Sequence, residues 1–152
     1  MHRFTTGAGA LAAAALAARG ILMPAPAQSP QPLSVQPIKG ALYWAEGGAG
    51  ANTGFWIGGE GVVVIDAKMT ADAAREMLAA IKELTVQPVN AVILTHSDGD
   101  HVNGLAGFPA GLTIVSSEGT KAEMEKAFQD EKMAALRPYL PTSVFRENIE
   151  LA

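Results

Sequence analysis

Residues 62–101 read VVVIDAKMTADAAREMLAAIKELTVQPVNAVILTHSDGDH. Val62-Val63-Val64-Ile65 is a continuous apolar run, the pattern of a strand buried on both faces. Thr70 is placed to cap a following helix, with Asp72 in its first turn. Met77, Leu78, Ile81 and Leu84 recur at helical spacing along one face, and Pro88 lies past the helix end. Residues 91–94 (AVIL) form a second buried strand. Strand, helix and strand in this order make a βαβ unit with parallel strands and a right-handed crossover.

Working outward, residues 41–46 (ALYWAE) and 52–57 (NTGFWI) are short strand candidates, each followed by a glycine-rich turn. They predict an antiparallel meander ahead of the βαβ unit. Residues 28–40 (QSPQPLSVQPIKG) are rich in Pro, Gln and Ser and read as a linker. Downstream, residues 112–115 (LTIV) predict a third strand. A helix is expected over 120–136, opened by a Thr120–Glu123 capping box. Trp44, Phe55 and Trp56 are expected in the hairpin core or a pocket wall, and Met124 and Met133 on a buried helix face.

Hydrophobic residues make up 49% of the 152-residue chain and charged residues 17%, enough apolar surface for one packed domain. The chain has no cysteine, which excludes a thiol nucleophile, a thiolate metal site and a disulfide framework. Arg3 and Arg19 are the only Lys or Arg in the first 27 residues. Removing that segment leaves nine basic against 15 acidic residues, a net of -6. Nucleic acid and anionic lipid are not attracted to such a surface.

The first 27 residues read as a signal peptide. A basic start at Arg3 precedes the small apolar run 7–18 (GAGALAAAALAA), and Ala25-Pro26-Ala27 supplies an A-x-A cleavage site. The run is too short to span a bilayer, which takes about 20 apolar residues. Expected localisation is periplasmic or secreted, with no membrane association after cleavage.

In parallel α/β sheets ligands sit at the carboxyl ends of the strands. Asp66 ends the first parallel strand and Thr95-His96 ends the second. The loop His96-Ser97-Asp98-Gly99-Asp100-His101 then offers four metal-binding side chains within six residues. Imidazole and carboxylate suit zinc, and also iron or manganese. On an extended segment 96 and 98 project to the same side, while 100 and 101 reach a second point after the turn at Gly99. A solvated acidic turn with two incidental histidines is the simpler reading. Position at the end of a buried strand favours a metal-binding loop.

The run Ile93-Leu94-Thr95-His96-x-Asp98-x-Asp100-His101-x-x-Gly104 resembles the H-x-H-x-D-H motif of the metallo-β-lactamase superfamily. Residues 52–70 (NTGFWIGGEGVVVIDAKMT) resemble that family's early hairpin and its strand ending in Asp. The resemblance covers about residues 40–120. It implies an α/β fold, half of an αββα sandwich, with a mixed sheet and helices on one face. It also implies roles. His96 would bind a first metal ion, with Asp98 where the second histidine normally stands. Asp100 and His101 would bind a second, and Asp100 would orient the attacking water as the catalytic residue. Asp66 and Thr95 would hold the loop from behind through hydrogen bonds. Zinc is the cofactor implied, as one or two ions.

The family completes its site from a second, related half of the sandwich. Only 51 residues follow His101 and none is histidine. Residues 41–152 are therefore expected to be an incomplete domain, with Phe145 and residues 149–151 starting a missing sheet. The function implied is an exported metal-dependent hydrolase, truncated here, in which a metal-bound hydroxide attacks an ester, amide, lactam or related bond of a small-molecule substrate. The alternative is a non-catalytic metal-binding or vestigial fragment. An uncovered sheet face would invite self-association.

Overall fold

The computed structural model describes residues 31–150. The expected signal peptide and its cleavage site lie outside the described residues. Seven strands form one sheet in sequential order: β1 (Ser34–Lys39), β2 (Leu42–Glu46), β3 (Thr53–Ile57), β4 (Val62–Ile65), β5 (Val89–Ile93), β6 (Thr113–Ser117) and β7 (Ser143–Phe145). The first four strands pair antiparallel and the last four parallel, which makes the sheet mixed.

The meander and the βαβ unit both form. Helix α1 (Ala71–Leu84) is capped by Thr70, whose side chain accepts from the Ala73 N–H at 3.1 Å. Ala73, Ala74, Met77 and Ile81 are buried, whereas Leu84 is 47% exposed. The buried stripe thus runs one turn nearer the N-terminus than Met77, Leu78, Ile81 and Leu84 implied, with Leu84, the last residue of the helix, in solvent. Helix α1 then joins the short α2 (Gly99–Val102), the 3₁₀ segment Asn103–Gly107 and helix α3 (Glu118–Ala127) over one face of the sheet. Phe55, Val62, Val64, Val92 and Ile114 point into that layer and are essentially fully buried.

The opposite face carries Val63, Ile65 and Ile93, all partly exposed, together with Trp44 and Trp56, 38% and 50% exposed. Val62–Ile65 is therefore an alternating strand, half covered, and not one buried on both faces. Of the four aromatic residues of the hairpin, Phe55 is core, stacked on half-buried Tyr43 with ring centroids 5.1 Å apart, and Trp56 lines a surface pocket.

Three further expectations are corrected. Residues 34–39, read as linker, form the edge strand β1; Pro37 is tolerated there because an edge strand has a side that needs no N–H donor, and the register shifts between Pro37 and Lys39. Ser143–Phe145 does not open a second sheet but extends the first, pairing parallel with β6. The long helix of 120–136 is two segments. Ser117 caps α3 by accepting from the Thr120 N–H at 3.1 Å, and the chain turns at Phe128 before a 3₁₀ segment, Glu131–Tyr139. Arg137 stabilises the break, its Nε donating to the Phe128 carbonyl at 2.9 Å. Met124 is fully buried and Met133 half-buried, both away from any ligand role.

Candidate metal centre

Register sets the site. Ile65 pairs with Ile93, and Ile93 with Val115, so three parallel strands end together and deliver Asp66 and Leu94-Thr95 to the same rim. Beyond the rim the backbone is unusual: Asp66 and Lys68 have φ of 65° and 70°. Aspartate enters the left-handed region more readily than most residues; for lysine it is uncommon.

Asp66 is 4% exposed and fully engaged. Its Oδ1 accepts from the Thr95 N–H at 2.9 Å, and the Thr95 hydroxyl donates to Oδ2 at 2.8 Å. Asp66 Oδ2 also lies 2.8 Å from His101 Nδ1. Thr95 Oγ1 lies 2.9 Å from His96 Nδ1. Both imidazoles are therefore held through Nδ1, which leaves each Nε2 directed away from its anchor. This is the arrangement by which metal-binding histidines are normally oriented.

Each Nε2 faces a carboxylate. His96 Nε2 stands 3.5 Å from Asp98 Oδ2, and His101 Nε2 stands 3.4 Å from Asp100 Oδ2. The two rings are neighbours, with centroids 3.9 Å apart. Asp98 occupies the cap position of α2 yet makes no cap hydrogen bond, so its carboxylate stays free to face His96. Nitrogen and oxygen ligands at about 2.0–2.1 Å on one tetrahedral zinc stand roughly 3.4 Å apart. Both pairs match that separation. Each pair offers one nitrogen and one oxygen, two donors where a zinc site takes three or four from the protein. Among the described residues no three His, Cys, Asp or Glu side chains converge on one point.

All six residues singled out in the sequence thus lie in one cluster. Asp66 is buried behind it, and Thr95, His96, Asp98, Asp100 and His101 lie nearer its surface. Gly104 packs the turn down: a Cβ there would overlap the Ala67 carbonyl. Ser97 faces the other way, donating to Glu123 of α3 at 2.5 Å.

The sequence reading missed Lys68. It is fully buried, and its Nζ donates to the carbonyls of Gly47 at 2.7 Å and Ala51 at 2.9 Å. Burial pushes its pKa below 10.5, partly offset by the charge of Glu76. A lysine between a strand and a helix gives no sequence signal of burial.

A mixed sheet with helices on one face and a His/Asp loop at the strand ends is the α/β architecture of the metallo-beta-lactamase fold. The family model of the metallo-beta-lactamase superfamily matches residues 47–149, and the chain belongs to that superfamily. A linear primary-alkylsulfatase from Pseudomonas sp. (strain ATCC 19151) is 30% identical over 59 residues, 39% of this chain and 11% of that protein. The stereoselective inverting sec-alkylsulfatase of a Pseudomonas species matches in structure with a TM-score of 0.56 at 28% identity, covering 68% of this chain and 17% of its own. A metallo-beta-lactamase from Hirschia baltica has the same fold, with a TM-score of 0.57 at 16% identity over 64% of this chain and 48% of its own. The chain thus spans about a tenth of the curated relative's length. Among the described residues no helix is long and apolar enough to cross a membrane.

Proposed function

We propose that the chain carries the motif-loop portion of an exported metal-dependent hydrolase acting on an ester, amide, lactam or related bond, with alkyl sulfate esters the first substrates to try. The observation that carries this reading is the pair of imidazoles, each anchored through Nδ1 and each presenting Nε2 to a carboxylate at 3.4–3.5 Å. His96 and Asp98 would hold one ion, and Asp100 and His101 a second. Zinc suits the imidazoles. Asp98 in place of a neutral ligand adds negative charge and hardens the donor set, which opens the site to iron or manganese. A bound ion would acidify a water molecule and polarise the bond to be cleaved.

The chain's own residues do the rest. Asp66 fixes His101 and Thr95, and Thr95 fixes His96, so the donors need little reorganisation on binding. Asp100, whose side chain is 41% exposed beside His101, would accept a proton from an incoming water and orient it. The basic start and apolar run before Ala27 support export. The acidic balance supports a small-molecule substrate over nucleic acid. The half-open sheet face with Trp44 and Trp56 supports self-association.

A second reading is a metal-binding domain without turnover, favoured by the absence of any three-donor cluster among the described residues. The test is hydrolysis of alkyl sulfate, aryl phosphate, thioester and lactam substrates by metal-loaded chain. Turnover removed by a chelator and by Asp100→Asn supports the hydrolase. Metal binding with no turnover of any substrate supports the second reading.

A further inference from the structure

We propose that Lys68 is a positioning residue of the candidate metal centre: its buried side chain pins the glycine-rich loop 47–51 against the turn that carries Asp100 and His101. The inference rests on the metal-binding reading of that turn and adds a residue to it.

The ammonium group bonds two carbonyls of one loop, Gly47 at 2.7 Å and Ala51 at 2.9 Å, and so fixes both ends of that loop. The loop in turn touches the motif. The Ala51 N–H donates to the Asp100 carbonyl at 3.2 Å, and a Cβ on Gly50 would stand 2.8 Å from the same carbonyl oxygen. On the other side, the Ala67 N–H donates to the His101 carbonyl at 2.7 Å, and the Lys68 carbonyl accepts from the Gly104 N–H at 2.9 Å. The Met69 N–H closes the ring onto the Ala49 carbonyl at 3.1 Å. Residues 66–69 therefore form a central post. The side chain of Lys68 holds one loop to it, and the backbone holds the motif turn.

Packing alone does not explain a lysine there. A methionine would fill the same volume without burying an ammonium, and among the described residues no carboxylate forms an ion pair with Lys68. The residue also keeps a φ of 70°, a conformation unfavourable for a side chain of this size. What lysine supplies and methionine lacks is directional hold on two carbonyls.

The test compares the full-length wild type with Lys68→Met and with Ile81→Ala, a core truncation in α1 away from the loop. Amide exchange of Ala51 and Ala67 is measured without metal, and cobalt(II) affinity by titration. The expected result is exchange at least tenfold faster at both amides in Lys68→Met than in Ile81→Ala, with cobalt affinity at least tenfold weaker only in Lys68→Met. Unchanged exchange at Ala51 overturns the proposal, as does equal loss of cobalt affinity in both variants. If the wild type binds no cobalt, the metal reading fails and the exchange data decide the role of Lys68 alone. If Lys68→Met does not fold, Lys68→Arg carries the test: retained protection of Ala51 supports the pin, and its loss overturns it.

Discussion

Asp66 and His101 are 35 residues apart in sequence, yet Asp66 Oδ2 and His101 Nδ1 stand 2.8 Å apart at the rim of the sheet. The contact joins the end of β4 to the turn of α2. Because Asp66 also accepts from Thr95, one carboxylate holds both halves of the motif loop.

Asp66→Asn is therefore expected to lower stability by about 1–3 kcal/mol, since it weakens charge-assisted hydrogen bonds at a buried position. Metal affinity should fall roughly 10–100-fold. Asp66→Ala should cost about 1 kcal/mol more, because alanine tolerates the left-handed φ of 65° less well than asparagine. Urea unfolding of the two variants checks the order.

Thr95→Val keeps the shape and removes the hydroxyl that links Asp66 to His96. A loss of about 1 kcal/mol is expected. Metal affinity should fall further than that loss alone explains, because His96 loses the hydrogen bond that holds its Nδ1. Calorimetric metal titration beside urea unfolding separates the two effects.

Gly104→Ala forces a methyl group onto the Ala67 carbonyl, a backbone atom that cannot rotate away. The variant should lose about 3 kcal/mol or more and bind metal poorly. Gly59→Ala, where a Cβ meets nothing within 4 Å, should unfold within about 1 kcal/mol of wild type. Equal midpoints for the two would remove the packing argument.

The lowered pKa of Lys68 has a signed consequence. Between the lowered folded value and 10.5 the unfolded chain holds a proton that the folded chain has released. Stability from this group therefore rises with pH through that window, is fully present above 10.5, and is lost as pH falls through the folded value. The wild-type minus Lys68→Met stability difference should shift in favour of the wild type as pH rises toward 10.5. A difference independent of pH would show that burial does not perturb Lys68.

The βαβ unit was legible because Val62–Ile65 and residues 91–94 are apolar runs around a helix with a clean stripe and a Thr70 cap. The motif loop was legible because its chemistry is compressed into six residues. Strand β1 was not, because an edge strand with one half-buried residue and a proline carries no alternation. Strand β7 was assigned to the wrong sheet because three residues carry no pattern that names their partner. The start of α3 was misplaced because Ser117 and Thr120 both suit a cap, and their choice depends on where β6 ends. Lys68 escaped because its partners, Gly47 and Ala51, are backbone carbonyls, which no side-chain pattern announces.

The most direct measurement is the metal content of the purified full-length chain by elemental analysis, with the His96→Ala/His101→Ala double variant alongside. One or two zinc, iron or manganese ions per chain, lost in the double variant, is the result expected from two anchored His–Asp pairs. No bound metal in the folded wild-type chain, or equal content in the double variant, would contradict the account.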